Sequence, residues 1–215
     1  MSIAILLLAA GSSRRMRGAD KLLQKVNDVP ILRLMAERAM ATSHPIYVTL
    51  PQGPHPRYDA LEGLDLVKVP VQDAQQGMGV SLSCGISHLP QTVDAVLGLL
   101  ADMPDLRTSH MLEVSNARTA HPDALIWRGG EQDGKAGHPV LLDATLFPQL
   151  RKLKGDSGAQ SINSDYAAQV YDVEKIGAAS RLDLDTPEAW QAWQRTRDRC
   201  SRRGKPEYAT ELKCP

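Results

Sequence analysis

Residues 8–21, with the sequence LAAGSSRRMRGADK, have the composition of a loop that binds phosphate groups. They include two glycines, two serines, three arginines and one lysine. Glycine lets backbone N–H groups approach phosphate oxygens, arginine offers a planar fork of donors, and lysine adds a compact positive charge. The segment is neither a Walker loop nor a dinucleotide fingerprint, because G-x-x-x-x-G-K-[ST] and G-x-G-x-x-G are both missing from it. The composition therefore predicts a triphosphate site of another pattern.

Carboxylates at two other places are candidates for holding a divalent cation. Asp102 follows the apolar run AVLGLL, and Asp183 and Asp185 lie two residues apart in DLDTPE. In an extended segment residues i and i+2 share a face, so Asp183 and Asp185 point the same way. Carboxylate oxygens are hard ligands of the kind that Mg²⁺ uses while it bridges phosphates. The alternatives are that Asp102 only begins a turn before Pro104 and that Asp185 or Thr186 only caps a helix.

A second glycine-containing segment, QQGMGVSLS at residues 75–83, precedes a predicted helix. Backbone N–H groups and hydroxyls at a helix N-terminus can hold a phosphate or the edge of a base. The glycines and hydroxyls of this segment could therefore contact a ligand, with an ordinary capped helix start as the alternative.

Two segments in the second half of the chain carry one candidate residue each. GKAGHPVLL at residues 134–142 is predicted to lie between two strands and contains His138, and GDSGA at residues 155–159 contains Asp156. His138 is a candidate general base or phosphate ligand, although an isolated histidine is more often a structural hydrogen-bonding residue. For Asp156 a plain turn between two helices is the alternative.

Short apolar runs and helix signals alternate along the chain. Runs such as AILLLA and AVLGLL are typical of strands buried on both faces of a parallel sheet. We predict strands at residues 3–9, 46–50, 66–69, 95–100 and 124–127. We predict helices at residues 31–42, 80–86, 109–120, 145–153 and 187–199. Pro30 opens the first of these helices, Thr108 or Ser109 caps the third, and Asp185-Thr186 caps the last.

Alternating strands and helices imply βαβ units, and hence an α/β fold with a mostly parallel sheet. Open sheets of this kind bind ligands at the carboxyl ends of their strands. Residues 8–21 and Asp102 both follow predicted strands, so they are expected at that edge. One domain is predicted over residues 1–199. Residues 200–215 are dense in charge and poor in aliphatic side chains, so we expect a loosely ordered tail there.

The overall composition excludes several classes of protein. The chain has 215 residues, of which 42% are hydrophobic and 23% charged, and this suits one globular domain. Lys plus Arg and Asp plus Glu are both 25, and the formal net charge of +0 argues against a DNA-coating protein. Aromatic residues make up only 4%, which leaves few platforms for stacking single-stranded bases. No nucleic-acid partner is predicted.

The cysteines and the N-terminal residues indicate the compartment. Cys84, Cys200 and Cys214 are scattered and form no C-x-x-C pair, which argues against a zinc ribbon or a disulfide framework. The N-terminal apolar run comes before its arginines, unlike a secretory signal, and is too short to span a bilayer. We therefore expect a reduced, cytoplasmic protein with no membrane partner, and Cys84 packed within its helix.

The pattern L-A-A-G-x-S-x-R-M, followed by G-A-D-K-L-L, resembles the signature loop of the nucleotidyltransferases that build dinucleotide forms of the molybdenum cofactor, the MobA-like family. That family usually has R-M-G, whereas this chain has RMRG at residues 15–18, one residue more. Later segments, including D-M-P, G-H-P-V-L and D-L-D-T-P-E, follow in the family's order as far as about Trp193. The resemblance implies a Rossmann-like three-layer nucleotidyltransferase domain.

The resemblance also implies roles for the loop and the metal site. Arg15 and Lys21 would neutralise the triphosphate, and Asp102 would hold Mg²⁺; these three are the implied catalytic residues. Asp183 and Asp185 would complete the metal site, with either one as the contact. The implied nucleotide-binding residues are Ala9, Ala10, Gly11, Ser13, Arg15, Lys21, Gly79 and Ser81.

The same family patterns imply the substrates. Members that use guanine have L-A-G-G after the first strand and members that use cytosine have L-A-A-G, so CTP is implied here and ATP stays open. His138 and Asp156 would bind the acceptor. The implied reaction is attack by a phosphate oxygen of molybdenum-loaded molybdopterin on the α-phosphorus of CTP, which expels pyrophosphate. A molybdoenzyme or its maturation chaperone would be the protein partner.

Two alternative functions remain open at this point. One is a cytidylyltransferase that acts on a small sugar or polyol phosphate. The other is a non-catalytic chaperone that binds finished cofactor and passes it to an apo-enzyme. Such a chaperone would tolerate loss of the metal carboxylates, so the presence of Arg15, Lys21 and Asp102 together with the Asp183 and Asp185 pair favours the enzyme.

Overall fold

The computed structural model describes residues 2–130, 136–155, 165–182 and 184–202. The strands within these residues are β1 (Ile3–Leu8), β2 (Lys25–Val26), β3 (Val29–Pro30), β4 (Ile46–Pro51), β5 (Val67–Val71), β6 (Ala95–Leu100), β7 (Ile126–Gly130), β8 (Ala136–Asp143) and β9 (Val170–Val173). The α-helices are α1 (Ile31–Met40), α2 (Pro56–Ala60), α3 (Met78–Ser87), α4 (Thr108–Ala120), α5 (Phe147–Leu150) and α6 (Pro187–Arg202). Strands and helices alternate through most of the chain, as predicted.

Seven of the described strands form one sheet in the order β5-β4-β1-β6-β8-β7-β9. The first four are parallel to one another, β8 is antiparallel to both of its neighbours, and β9 is parallel to β7. The predicted α/β class with a mostly parallel sheet is confirmed. Strand β1 has β4 on one side and β6 on the other, so the chain leaves β1 at the point where the strand order reverses. In open α/β sheets this switch point is where ligands bind.

Both faces of the sheet are covered, which explains the continuous apolar run in β1. Ile5 and Leu7 are fully buried against α1, α4 and α6, and Ala4 and Leu6 are fully buried against α3 and α5. Helix α3 comes especially close, because a Cβ atom on Gly85 would lie 2.5 Å from Cδ1 of Leu6. Burial on both faces anchors β1, and thus the start of the predicted phosphate-binding loop, in a rigid part of the molecule.

Strand β8 is the main difference from the predicted elements. Residues 134–142 were predicted to lie between two strands, and this is wrong for residues 136–142, which are part of β8. The run Val140-Leu141-Leu142 pairs with residues 96–98 of β6 in antiparallel register. A short apolar run does not reveal its partner, because strand pairing depends on residues far apart in sequence.

Helix boundaries differ from the predictions at several places. Helix α4 begins at Thr108, with Arg107 as its N-cap, so neither Thr108 nor Ser109 is the cap; the Thr108 hydroxyl instead donates to the carbonyl of Arg38. The helix predicted at residues 145–153 is a 3₁₀ turn, Ala144–Leu146, followed by the short α5. Helix α6 ends at Arg202, past the predicted residue 199, and residues 203–215 lie outside the described part of the chain.

None of the helices in the described residues combines the length and the apolar character that a membrane crossing needs.

Candidate active site

The predicted phosphate-binding loop leaves β1 at the carboxyl edge of the sheet and is anchored at its midpoint. The chain forms a 3₁₀ turn at Arg14–Met16, and the Met16 side chain is 3% exposed within the core. Ser13 (φ 50°) and Arg17 (φ 52°) adopt left-handed backbone conformations, and Gly18 has φ 92°. The family pattern R-M-G is one residue shorter than RMRG in this chain. Arg17 and Gly18 are exposed, so the additional residue is accommodated in a turn at the surface. The anchored Met16 keeps the rest of the loop in place.

A cleft of about 420 Å³ lies between this loop, the end of β6 and the start of α3. Its lining includes residues 8–15, Lys21, Ser81, Asp102 and Asp185. A Cβ atom on Gly11 would meet nothing within 4 Å, so the backbone there faces open space. The structure thus brings most of the predicted site residues together around one cleft.

Lys21 lies between two carboxylates at the floor of this cleft. Its Nζ is 2.5 Å from Oδ2 of Asp102 and 2.5 Å from Oδ1 of Asp185. Asp102 is only 6% exposed, which strengthens the interaction because little water screens it. Burial alone would lower the pKa of Lys21, but the charge and hydrogen bonds of Asp102 and then Asp185 raise it above the ordinary value. Lys21 is therefore a protonated cation that two carboxylates share.

Arginines surround the opening of the cleft. Arg15 forms an ion pair with Asp185, and its side chain is 71% exposed. Nη2 of Arg14 donates to the carbonyl of Gln75 at 3.5 Å across the cleft. Exposed guanidinium groups are free to turn toward a ligand, because pairs of this kind contribute little to stability. Arg14 and Arg15 can therefore supply positive charge to a bound polyphosphate.

The C-terminal helix places Asp185 beside Asp102. The Leu184 N–H donates to the carbonyl of Asp102 at 3.2 Å, and the Trp190 indole donates to the carbonyl of Leu184 at 3.1 Å. Trp190 belongs to α6 and is buried in the core. The packing of α6 thus fixes the segment that carries Asp185, which lies 164 residues from Lys21 in sequence.

The turn after β6 is braced from two sides. Nη1 of Arg38 donates to the carbonyls of Pro104 at 2.6 Å and Leu106 at 2.7 Å. On the other side, Asp105 is half-buried and accepts a hydrogen bond from the Trp193 indole at 3.1 Å. These bonds hold the Asp102 backbone independently of the Asp102 side chain.

A second pocket of about 510 Å³ lies on the other side of the same loop. Gln52, Gln72 and Gln75 line it, together with loop residues 10–14 and the ion-paired Asp20 and Arg57. Amide side chains donate and accept hydrogen bonds, whereas the cleft at Lys21 is lined by charged groups. The loop therefore lies between the cleft at Lys21 and a second pocket that is rich in amide side chains.

Ser81 and Gly79 fall in different surroundings. Ser81 is buried and lines the charged cleft. Gly79 packs instead against the turn after α5, because a Cβ atom there would lie 2.8 Å from the carbonyl oxygen of Gly155. The close approach of two backbones explains why residue 79 is glycine without any contact to a ligand.

His138 lies on β8, close enough to Asp102 for the negative charge of that carboxylate to act on the imidazole. Burial lowers the pKa of His138, although the Asp102 carboxylate and a backbone hydrogen bond with Gly98 oppose that shift. Its Nδ1 atom is buried and has no hydrogen-bond partner within the described residues. His138 is thus a neutral imidazole near Asp102, one of the predicted metal ligands.

The lowered pKa of His138 predicts a specific acid sensitivity. Below pH 6.5, the ordinary pKa of histidine, residue 138 binds a proton more readily in the unfolded chain than in the folded one. The contribution of His138 to the free energy of unfolding therefore falls as the pH drops through that value. We expect His138→Gln to lose less melting temperature than the parent between about pH 7.5 and pH 5. The matched control is His88→Gln at an exposed position, which should follow the parent. Equal acid losses in His138→Gln and the parent would contradict the prediction.

Two predicted site residues, Asp156 and Asp183, lie outside the described residues. Within the described part of the chain, no group of three or more His, Cys, Asp or Glu side chains could hold a metal ion. Among the predicted metal ligands, the structure brings Asp102 and Asp185 together at Lys21.

Sequence reasoning missed Arg57, which lies beneath the loop with its guanidinium against Asp20 and Ser13. Arg57 belongs to no recognisable motif. A signal was nevertheless present in Asp20, because a carboxylate inside a predicted anion-binding loop needs a cationic partner.

Comparison with known proteins identifies relatives. The model of the MobA-like NTP transferase domain matches residues 5–170. The chain is similar to the purine catabolism protein PucB of Bacillus subtilis (strain 168), with 28% identity over 202 residues, which cover 87% of this chain and 94% of PucB.

Solved structures share the fold. The crystal structure of Rv0371c from Mycobacterium tuberculosis H37Rv has a TM-score of 0.78 at 23% identity, over 89% of this chain and 96% of that one. Its complex with manganese has a TM-score of 0.74 at 21% identity, over 89% and 97%. A CMP:2-keto-3-deoxy-manno-octonic acid synthetase complexed with CTP has a TM-score of 0.70 at 11% identity, over 93% and 99%.

Proposed function

The chain belongs to the MobA-like NTP transferase domain family and is a nucleotidyltransferase; we propose that it transfers CMP from CTP to molybdenum-loaded molybdopterin and releases pyrophosphate. The observation that carries this proposal is Ala9-Ala10-Gly11, which follows β1 and borders both the cleft at Lys21 and the amide-rich pocket. This is the cytosine-type form of the family's loop.

The two compartments beside the loop suit the two ends of CTP. The cleft that contains Lys21, Arg14 and Arg15 offers the positive charge that a triphosphate needs. The pocket lined by Gln52 and Gln72 offers amides that can pair with the edge of a base. We place the phosphates on the Lys21 side and the cytosine on the Gln52 side, with the backbone of residues 9–13 between them.

The residues at the cleft floor fit a magnesium ion. Asp102 and Asp185 each direct one carboxylate oxygen at the same cationic atom, Nζ of Lys21, so they can share a cation. Mg²⁺ keeps several waters and takes one or two carboxylates plus phosphate oxygens, and a pair of carboxylates is enough for that pattern. The manganese complex of a structural neighbour supports the use of a divalent metal. When bound, Mg²⁺ would neutralise charge on the phosphates; Asp102 and Asp185 would hold it, with Asp183 as a further candidate.

The chemistry needs alignment more than it needs a strong base. An oxygen of the acceptor phosphate forms a bond to the α-phosphorus, and the bond from that phosphorus to the oxygen bridging to the β-phosphate breaks. The acceptor oxygen is already anionic, so no proton has to be removed from it. Lys21 and Arg15 hold the phosphates and stabilise the negative charge that collects on the leaving pyrophosphate. Arg15 and Lys21 both line the cleft in which the triphosphate is proposed to bind.

The acceptor is proposed to bind on the β8 side of the cleft. His138 is neutral and its Nδ1 lacks a partner within the described residues, so it can exchange a hydrogen bond with the acceptor but does not add charge. Asp156 is a further candidate for that side. A neutral imidazole there matches a reaction whose nucleophile needs no deprotonation.

The cytosine assignment predicts a nucleotide preference. We expect CTP to bind more tightly than GTP, because the backbone and amides around Ala9-Ala10-Gly11 suit a pyrimidine edge. Calorimetry of the parent protein with Mg²⁺ measures both affinities. Tighter binding of GTP would overturn the assignment.

Pyrophosphate release, screened over the four nucleoside triphosphates with and without molybdenum-loaded molybdopterin, tests the whole proposal. Release that requires CTP and molybdopterin together is the expected result. Release with small sugar or polyol phosphates instead would identify the other cytidylyltransferase activity. Pterin fluorescence that copurifies with the protein, without any release, would favour a cofactor chaperone.

A further inference from the structure

Arg57 is a buried arginine beneath the nucleotide loop that the proposed mechanism does not use. It is 1% exposed. Nε and Nη2 donate to the two carboxylate oxygens of Asp20, both at 2.7 Å. Nη1 donates to the carbonyl of Ala9 at 2.6 Å, and Nη2 also reaches Oγ of Ser13 at 3.1 Å. All three acceptor residues belong to the loop.

The Arg57–Asp20 pair is a two-point, charge-assisted contact. Burial would raise the pKa of Asp20, but the hydrogen bonds and charge of Arg57, with the N–H of Leu22 and the Ser13 hydroxyl, lower it below the ordinary value. Asp20 is therefore ionised, and the planar guanidinium matches its two oxygens. A buried charge pair is retained only where its geometry and remaining hydrogen bonds are satisfied, as they are here.

The contacts of Arg57 reach both ends of the loop. Ala9 is near its beginning and Asp20 is near its end. Oδ1 of Asp20 also accepts a hydrogen bond from the N–H of Leu22, just after the loop, at 2.9 Å. In the middle, Ser13 has a left-handed backbone, which is unfavourable for a residue with a Cβ atom. Oγ of Ser13 also accepts from the Lys21 N–H at 3.2 Å. One guanidinium thus braces the loop from Ala9 to Lys21 and supports the strained residue between them.

The short helix α2 delivers Arg57 to this place. Nδ1 of His55 accepts from the Arg57 N–H at 3.3 Å and caps the helix, and the Tyr58 hydroxyl donates to the carbonyl of Pro51 at 3.1 Å. The Tyr58 bond ties α2 to the end of β4, so the backbone of Arg57 is attached to the sheet while its side chain contacts the loop. The hydrogen bonds of the Arg57 guanidinium to Asp20, Ser13 and Ala9, here called the clamp, therefore link the loop to the rigid sheet.

We propose that Arg57 is a positioning residue for nucleotide binding, which acts through Asp20, Ser13 and Ala9 to hold the loop in the shape that accepts a triphosphate. The proposal rests on the proposed nucleotide transfer, but it requires only that some nucleoside triphosphate binds this loop. A loop that is ordered before binding does not draw on the binding free energy for its own ordering. Loss of the clamp therefore weakens the nucleotide affinity of the folded protein, which a purely structural arginine would not do.

The test compares two arginines that each form an ion pair with an aspartate. Arg57→Lys keeps a positive charge beside Asp20 but cannot form the fork or reach all three acceptors. Arg118→Lys is the control, because Arg118 also pairs with a largely buried carboxylate, Asp143, at 2.7 Å but, unlike Arg57, lies in neither pocket lining. Calorimetry with Mg²⁺ and the triphosphate that the parent binds best gives the affinities, and thermal melting gives the stabilities.

We expect both variants to melt below the parent, and only Arg57→Lys to lose affinity, by about tenfold or more. Parent-like affinity in a folded Arg57→Lys would overturn the proposal and leave Arg57 as a purely structural residue. If Arg57→Lys does not fold, Asp20→Asn decides, since it breaks the same pair from the loop side; unchanged affinity there also overturns the proposal. A parent that prefers a triphosphate other than CTP contradicts the cytosine assignment, but the comparison is then made with that nucleotide and still decides the role of Arg57.

Discussion

Asp102→Asn is expected to lower the rate of pyrophosphate release by about a hundredfold or more while the protein still folds. Asparagine keeps the volume and one carbonyl acceptor, so Lys21 retains a hydrogen-bond partner. It loses the negative charge with which Asp102 would hold Mg²⁺ against the phosphates. The backbone is secured separately, because the Asp102 carbonyl accepts from Leu184 and Arg38 braces the turn that follows. Steady-state turnover and thermal melting measure the two properties.

The control for this experiment is Asp105→Asn, three residues further along the chain. Asp105 accepts a hydrogen bond from Trp193 through Oδ1, and asparagine can accept the same bond. We expect activity and stability close to those of the parent. Normal melting of Asp102→Asn with pyrophosphate release near the parental rate would show that Asp102 is only a turn residue, and the metal site would then be sought at Asp183 and Asp185.

Lys21→Ala is expected to weaken CTP binding much more than CMP binding and to reduce turnover by about a hundredfold. The lost charge belongs to the part of the cleft that would hold the β- and γ-phosphates, which CMP lacks. Removal of Nζ also leaves Asp102 and Asp185 without the cation they share, so Mg²⁺ should raise the melting temperature of Lys21→Ala more than that of the parent. Calorimetry with CTP and CMP, and melting with and without Mg²⁺, measure these effects.

Lys68→Ala is the matched lysine control. Its Nζ donates to the carbonyl of Tyr58 at 3.2 Å, and it lines neither pocket. We expect parental affinity for both nucleotides and a parental response to Mg²⁺. Equal losses for CTP and CMP in Lys21→Ala would remove Lys21 from its proposed role at the phosphates.

The class of fold and the edge of the sheet where the candidate site lies were both predictable from the sequence. These features are encoded locally: the apolar run of β1 is continuous because both of its faces are buried, and a loop that follows such a strand lies at the carboxyl edge. The same reasoning correctly placed Asp102 at the end of β6. Composition alone marked residues 8–21 as an anion-binding loop, because few other segments combine small residues with this density of cations.

The side chains that contact one another across the site could not be predicted from the sequence. Lys21 contacts Asp102 and Asp185 from 81 and 164 residues away, and Arg57 contacts Asp20 from 37 residues away. No local periodicity encodes such pairs, because they form when strand order and helix packing bring distant segments together. The antiparallel pairing of β8 with β6 was missed for the same reason, since an apolar run specifies burial but not its neighbour. Gly79 shows the converse: its residue type suggested a ligand, whereas a close backbone approach from Gly155 explains it.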